Sequence, residues 1–497
     1  MRTFGKSALF CCAMAGALSG SVFAQAGREL VRARITRPIN EGRLSRLPGN
    51  THPLARGEFD RGLAPPDLPM QRMLLVLTRG GQEETALQNL LDQQQDRTSS
   101  LYHHWLTPEE FGQQFGAAEQ DVQTVTAWLQ SHGFQIARVS NGRSIIEFSG
   151  TAAQVEGAFH TEIHKYVVNG KIHWANASDP EIPSALASVV AGVATLHNFS
   201  KRPQLIRSNG VFQKSPEFTN SSGGHALAPA DYATIYNINP VYDTGISGAG
   251  TVIAVVGRSN INLQDIASFR STFNLPANPP QVVVDGADPG DLGGDEEAEA
   301  VLDTSWAGAV APGATVKLVV SKSTNTTDGV DLSEEYIIDH NLGDVMTESF
   351  GNCEASYTAA EATAISSLAQ QAAAQGITYT VASGDSGAEG CDDPSSETTA
   401  TGPVSVNILA STPYAIAVGG TEFNENGNNA AYWQSANAAD GASAISYIPE
   451  DVWNESCTAG QCTTGNSPGL WAGGGGASTL FGKPAWQTGV PGIAHRD

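Results

Sequence analysis

The chain has 497 residues, about three domains' worth, and is 40% hydrophobic and 16% charged, enough apolar material for a sizeable core. Its 27 Lys and Arg face 51 Asp and Glu, a formal charge of −24, which speaks against a nucleic-acid partner because phosphate recognition needs a basic surface. No apolar run of membrane-spanning length follows the N-terminus, which argues against an integral membrane protein.

Residues 1–24 read as an export signal. Arg2 and Lys6 open it, an apolar and small-residue run covers 8–17, and Val22-Phe23-Ala24 is a small-residue cleavage site. A short membrane anchor is the alternative, disfavoured by the length and the Ala, Gly and Ser content. The product is expected to be secreted, extracellular or periplasmic, with no membrane association once the signal and its Cys11 and Cys12 are gone. Residues 25–67 lack hydrophobic periodicity and are expected to be a mobile lead-in.

Regular structure is expected from there on. A strand covers 70–79 and a polar helix 83–97. Thr107, Pro108 and Glu110 start a helix with a capping box. An amphipathic helix covers 121–132, strands 134–140 and 144–148 flank Asn141-Gly142, a helix covers 151–159, and a second hairpin turns at Asn169-Gly170. This is an antiparallel α+β unit over 68–200. Residues 201–226 lose all pattern and read as an exposed basic linker open to proteolysis.

From 227 to 497 the pattern changes. Apolar strands at 251–256, 282–284, 316–321, 344–350, 377–382 and 414–418 alternate with helices at 261–273, 295–309, 332–340 and 363–375. That is the pattern of an α/β, doubly wound, mostly parallel sheet, with functional groups at the carboxyl ends of its strands. Charge divides at the same place. Residues 25–214 carry 19 basic and 18 acidic side chains, whereas 215–497 carry 6 and 33. The acidic body is therefore expected to respond strongly to pH.

Four cysteines remain in the second part: Cys353, Cys391, Cys457 and Cys462. In an exported chain they suggest two disulfides, with three pairings open. The short loop between Cys457 and Cys462 favours that pair, leaving Cys353 with Cys391. A zinc site is the alternative, but no His lies near and the spacing does not fit.

Three segments are candidates for chemistry. Glu299 and Asp303, four apart on a helix, share one face. Adjacent carboxyls resist joint ionisation, so the pair suits proton transfer at acid pH, where His is protonated. A solvated acidic face is the plainer reading, since Asp295, Glu296 and Glu297 precede the pair, but Val301, Leu302 and Trp306 argue that it turns inward. Ser383-Gly384-Asp385-Ser386-Gly387 follows a strand directly. Ser386 as a trypsin-like nucleophile needs a histidine motif that the second part lacks, whereas a protonated Asp385 can donate a hydrogen bond to an oxyanion. The run from Gly473 to Ser478 reads as a close-packed glycine turn, and nothing supports nucleotide binding.

In sequence order the chain shows YHHWLTPEEFGQQFG from Tyr102, EAVLDTSWAGAVAPGA from Glu299, TESFGNCE from Thr347, ASGDSG from Ala382, AVGGT from Ala417, PEDVWNES from Pro449 and GGGGASTLFGKPAWQ from Gly473. Together these resemble the sedolisins, the serine-carboxyl peptidases that include the kumamolisins, with 68–200 similar to the pro-kumamolisin activation domain. The resemblance implies a subtilisin-like sheet behind an α+β prodomain. It also implies Glu299 as general base, Asp303 as its orienting acid and Asp385 as oxyanion stabiliser. Ser349, Phe350, Gly351 and Gly384 become the residues that hold substrate backbone. The implied partners are peptide substrates and the chain's own prodomain.

The resemblance further implies a nucleophilic serine in a Gly-Thr-Ser motif beyond residue 487, and calcium bound near the same end. No Gly-Thr-Ser occurs in the 497 residues, and Ser478 fits a different motif. The expectation is a peptidase domain incomplete at its C-terminal side, without nucleophile or metal ligands, and inactive as it stands. The rival expectation is a non-enzyme whose first unit acts as chaperone or inhibitor.

Overall fold

The computed structural model describes residues 31–205, 226–462 and 468–489. The export signal and most of the expected linker lie outside these residues. The first unit runs β1 (Leu44–Arg46), β2 (Asp60–Leu63), β3 (Pro69–Leu77), α1 (Gly81–Gln95), α2 (Pro108–Phe115), α3 (Glu119–Ser131), β4 (Gln135–Val139), β5 (Ile145–Thr151), α4 (Ala152–Phe159), β6 (Ile163–Val168), β7 (Lys171–Asn176), β8 (Glu181–Pro183) and β9 (Val190–Val193). Its main sheet is antiparallel, in the order β4-β5-β3-β9. Local chemistry sets the helix starts. Thr107 and Thr151 each accept an N–H from the residue three further on, whose side chain returns the bond, in capping boxes for α2 and α4.

The expected mobile lead-in is corrected in part. β1 pairs with β8, β2 pairs with β6, and Ile35 and Leu47 join the core of the first unit. The buried Asp121 carboxylate accepts the N–H groups of Arg34 and Ile35. These ties are made by backbone groups and by isolated apolar residues, so no periodicity announced them.

The second unit continues with β10 (Arg202–Pro203), α5 (Pro229–Ile235), α6 (Asn239–Asp243), β11 (Val252–Gly257), α7 (Leu263–Thr272), β12 (Gln281–Asp285), α8 (Gly294–Val310), β13 (Thr315–Ser321), α9 (Gly329–Asp339), β14 (Val345–Glu348), β15 (Phe350–Gly351), α10 (Ala359–Gln375), β16 (Thr378–Ala382) and β17 (Ile416–Val418). Six strands form one parallel sheet, β12-β13-β11-β14-β16-β17. Alternate residues feed opposite faces. Val255, Leu318 and Val320 pack with Ile266 and Ala300 from α7 and α8, whereas Ala254, Val256, Val319 and Met346 pack with Val330, Ile337, Ile365 and Leu368 from α9 and α10. Beyond β17 the described residues are largely irregular, with one further antiparallel pair of strands.

The first unit is seated on α9 and α10. Leu74 and Ile145 enter the second unit's core, and Leu87, Leu91, Phe111 and Phe115 surround Ala374. It also satisfies carbonyls that helix ends leave open. Asn141 donates to Asp339 O at 3.0 Å, and Gln94 Nε2 and the Leu106 N–H both donate to Ala374 O at 3.0 Å. Arg72 bridges Glu147 and Asp285, each at 2.7 Å, and Arg138 bridges Glu147 and Glu335. Burial acts to raise the Glu147 carboxyl, but the hydrogen bonds and charge of Arg72 and Arg138 hold it below its ordinary value.

Candidate active site

Glu299 and Asp303 stand one turn apart on α8, which packs against β11 and β13 beside the middle of the sheet. The carboxyl end of β14 leads into Ser349, and that of β16 leads into the loop bearing Asp385. Strand order reverses around β11 and β14, where open α/β sheets place their ligands.

Glu299 is 1% exposed. The Ser349 hydroxyl donates to Asp303 Oδ1 at 2.9 Å. Glu299 Oε2 and Asp303 Oδ2 are buried without a hydrogen-bond partner. The Glu299 carboxyl is pushed up by burial first, then by the charges of Asp303 and Asp385; that of Asp303 is pushed up by burial. Burial raises Asp385 to about 6, against the opposing charge of Arg202. The structure therefore brings into one field three carboxyls that the sequence holds on two separate elements.

The start of the expected linker is a correction. Lys201 is buried, and Arg202–Pro203 forms β10, antiparallel to Phe350–Gly351. Arg202 stands opposite Gly351 and Pro203 opposite Phe350, and the Gln204 N–H donates to Ser349 O at 2.9 Å. The same N–H lies within reach of the Glu299 carboxyl. Arg202 and Gln204 line one cleft with Gly351, Gly384 and Asp385. The chain thus lays its own backbone along Ser349, Phe350 and Gly351. A reading of side-chain pattern misses such a strand, because backbone pairing makes it.

The other candidates lie elsewhere. Ser386 is buried and donates to Asp392 O at 3.1 Å. Ser478 bonds the buried Glu354 carboxylate, which also accepts the Thr479 N–H at 2.6 Å and the Ser411 hydroxyl at 2.8 Å. This anchors the glycine run. The Gly474 N–H donates to Gly384 O at 2.7 Å, and a Cβ on Gly474 would lie 2.2 Å from Ser383 O. The run is a close-packed brace for the Asp385 loop. Cys353–Cys391 and Cys457–Cys462 are bonded, and the first ties the residues after β15 to the same loop. Among the described residues no group of three or more His, Cys, Asp or Glu is arranged to hold a metal ion. Among them, too, no helix is long and apolar enough to cross a membrane.

Fold and site define a protein in which an antiparallel α+β unit covers a parallel α/β body, with Asp385 in a cleft beside the buried Glu299 and Asp303. A family model described as the pro-kumamolisin activation domain matches residues 58–199. The chain is 30% identical to sedolisin of Pseudomonas sp. (strain 101) over 431 residues, covering 85% of this chain and 68% of that protein. It is 28% identical to xanthomonalisin of Xanthomonas sp. (strain T-22), covering 83% and 51%, and 25% identical to kumamolisin of Bacillus sp. (strain MN-32), covering 89% and 73%. A solved structure of Pseudomonas sedolisin, complexed with two molecules of pseudo-iodotyrostatin, is 27% identical over 54% of this chain and 68% of that one, with a TM-score of 0.40. The chain belongs to the sedolisin family of serine-type peptidases, whose members carry a prodomain.

Proposed function

We propose that this chain is the precursor part of a secreted, acid-active endopeptidase. A serine from outside these 497 residues would attack the peptide carbonyl carbon. Its proton passes to Glu299, held by Asp303, while the oxyanion accepts a hydrogen bond from protonated Asp385. The C–N bond then breaks, Glu299 returns the proton to the leaving amine, and water repeats the sequence on the acyl-enzyme. What carries this reading is a peptide strand lying antiparallel on Phe350–Gly351, with its Gln204 N–H donating to Ser349 O at 2.9 Å.

The same strand keeps the precursor silent. It occupies the substrate track along Ser349, Phe350 and Gly351, beside a Glu299 carboxyl that burial and the neighbouring carboxyls push up. Acid acts on the seat of the first unit in two directions: the depressed Glu147 carboxyl loses its stabilising effect as pH falls through its folded value, whereas burial raises Glu335, which Arg138 links to Glu147, to about 8, so its protonation favours the docked state. The test is secretion of the complete protein and its Glu299→Gln and Asp385→Asn variants, with peptide hydrolysis followed from pH 3 to 7. Hydrolysis confined to acid, with each variant 10²-fold or more slower, is expected. An acid-independent rate, or a variant at full rate, overturns the reading.

The contacts with α9 and α10 also favour a second role for the first unit, as a folding template that caps both helices in the precursor. Refolding of the second unit that is equally fast with and without the first unit would refute it.

A further inference from the structure

The lysine preceding β10 is 4% exposed although it begins a segment that composition marks as exposed. Its ammonium pairs with Asp331 on α9 and lies 5.8 Å from the Tyr357 ring centre. Its N–H donates to Asp328 Oδ2 at 2.8 Å, and its carbonyl accepts from Arg258 at 2.8 Å. The charges of Asp328 and Glu348 also act on it. Glu334 on α9 and Glu361 on α10 complete the surround, each buried.

The carboxyls of this pocket all belong to the second unit, although Glu361 also faces His197 of the first unit at 3.3 Å. The wall cation Arg258 is itself taken by Glu296 at 2.6 Å and by Asp328 at 2.8 Å. Tyr379 donates to Glu348 Oε2 at 2.6 Å, while Glu348 Oε1 is buried without a hydrogen-bond partner. Carboxyls gathered this deeply need a cation, and here it arrives on a strand seated in the cleft. The register is set. Gln204 stands at Ser349 and Glu299, and Lys201 is the third residue before it.

We propose that the pocket of Asp328, Asp331, Glu334, Glu348 and Tyr357 is a specificity site for a lysine side chain of peptide substrates, three residues before the one whose N–H meets Ser349. The proposal rests on the peptidase reading for its substrate, and on the geometry alone for its ligand. When the strand leaves, its lysine leaves with it and the walls stay. A substrate in the same register then offers its own ammonium. Arginine carries its charge on a wider planar group and should fit a wholly buried pocket less well.

Two measurements test this separately. In the full chain, Lys201→Ala removes the native ammonium, and n-butylammonium chloride at tens of millimolar should raise the variant's Tm by several degrees more than equal sodium chloride. Wild type should not respond, nor should Lys201→Ala/Asp331→Asn. Equal responses to both salts overturn the site.

In the complete, acid-processed protein, quenched peptides Phe-Ser-Xaa-Arg-Pro-Gln-Leu-Ile are compared with Xaa as Lys, Arg or Met. Lys should exceed Met at least tenfold in kcat/KM, chiefly through KM, and Asp331→Asn should erase the difference. Hydrolysis without that preference overturns the inference and leaves the peptidase reading intact. Butylammonium rescue without any hydrolysis sinks the peptidase reading and leaves the cation site. If Lys201→Ala does not fold, the peptide comparison decides alone.

Discussion

Trp105 and Gly376 give a quantitative test of how the two units are joined. Gly376 ends α10 in the left-handed region, at φ +80°, and the indole of Trp105 lies over it. A Cβ at position 376 would sit 2.6 Å from the ring. Gly376→Ala therefore costs about 1 kcal/mol for an alanine in that backbone region. It costs roughly 1–3 kcal/mol more for shifting a Trp that is 38% exposed and otherwise packed. In a Trp105→Ala background the collision is gone and only the backbone cost of about 1 kcal/mol remains. The double-mutant cycle should thus show a coupling of about 1–3 kcal/mol, read from urea unfolding of the intact precursor at neutral pH. A Gly376→Ala cost that is the same with and without Trp105 would refute the claim that this indole seats the first unit on the end of α10.

Three further outcomes are expected. Glu299→Gln should stabilise the precursor on the order of 2 kcal/mol at pH 8, with a gain that fades toward acid. A carboxyl with a raised folded pKa contributes fully below its unfolded value and loses that contribution as pH rises, so a Tm gain that does not vary with pH contradicts its burial. Arg72→Met leaves Glu147 on Arg138 alone and Asp285 on the Ser321 hydroxyl, and should cost about 3 kcal/mol; hydrogen exchange in β3 and β5 should then report loosening at higher pH than in wild type. Ser386→Ala should leave peptide hydrolysis by the complete protein unchanged and cost about 1 kcal/mol of stability, whereas an inactive but folded variant would revive the trypsin-like reading.

Much of the architecture was legible in the residues because its causes are local. Thr107 with Glu110 and Thr151 with Gln154 are capping signals that work within one turn, and both helices start there. Apolar runs such as 251–256 read as buried parallel strands because helices cover both faces of the sheet. The Glu299–Asp303 spacing placed two carboxyls on one helical face, and Val301 and Trp306 hinted that the face turns inward. The lead-in and the first residues of the linker, 201–204, were misread for one shared reason: their order comes from distant backbone and charge partners. Asp121 holds residues 34 and 35, and Asp331 takes Lys201.

The sequence by itself determined the alternation of strand and helix, the division of charge along the chain and the acidic residues available for chemistry, and it favoured one pairing of the cysteines, since each follows from composition, period or short-range spacing. Only the tertiary structure decided that Asp385 shares a field with Glu299 and Asp303, that the strand from Lys201 to Gln204 fills the cleft, and that a lysine sits among buried carboxyls. Those facts depend on the dielectric around each group and on pairing between segments far apart in the chain. Neither exists until the sheet is assembled and water has been excluded.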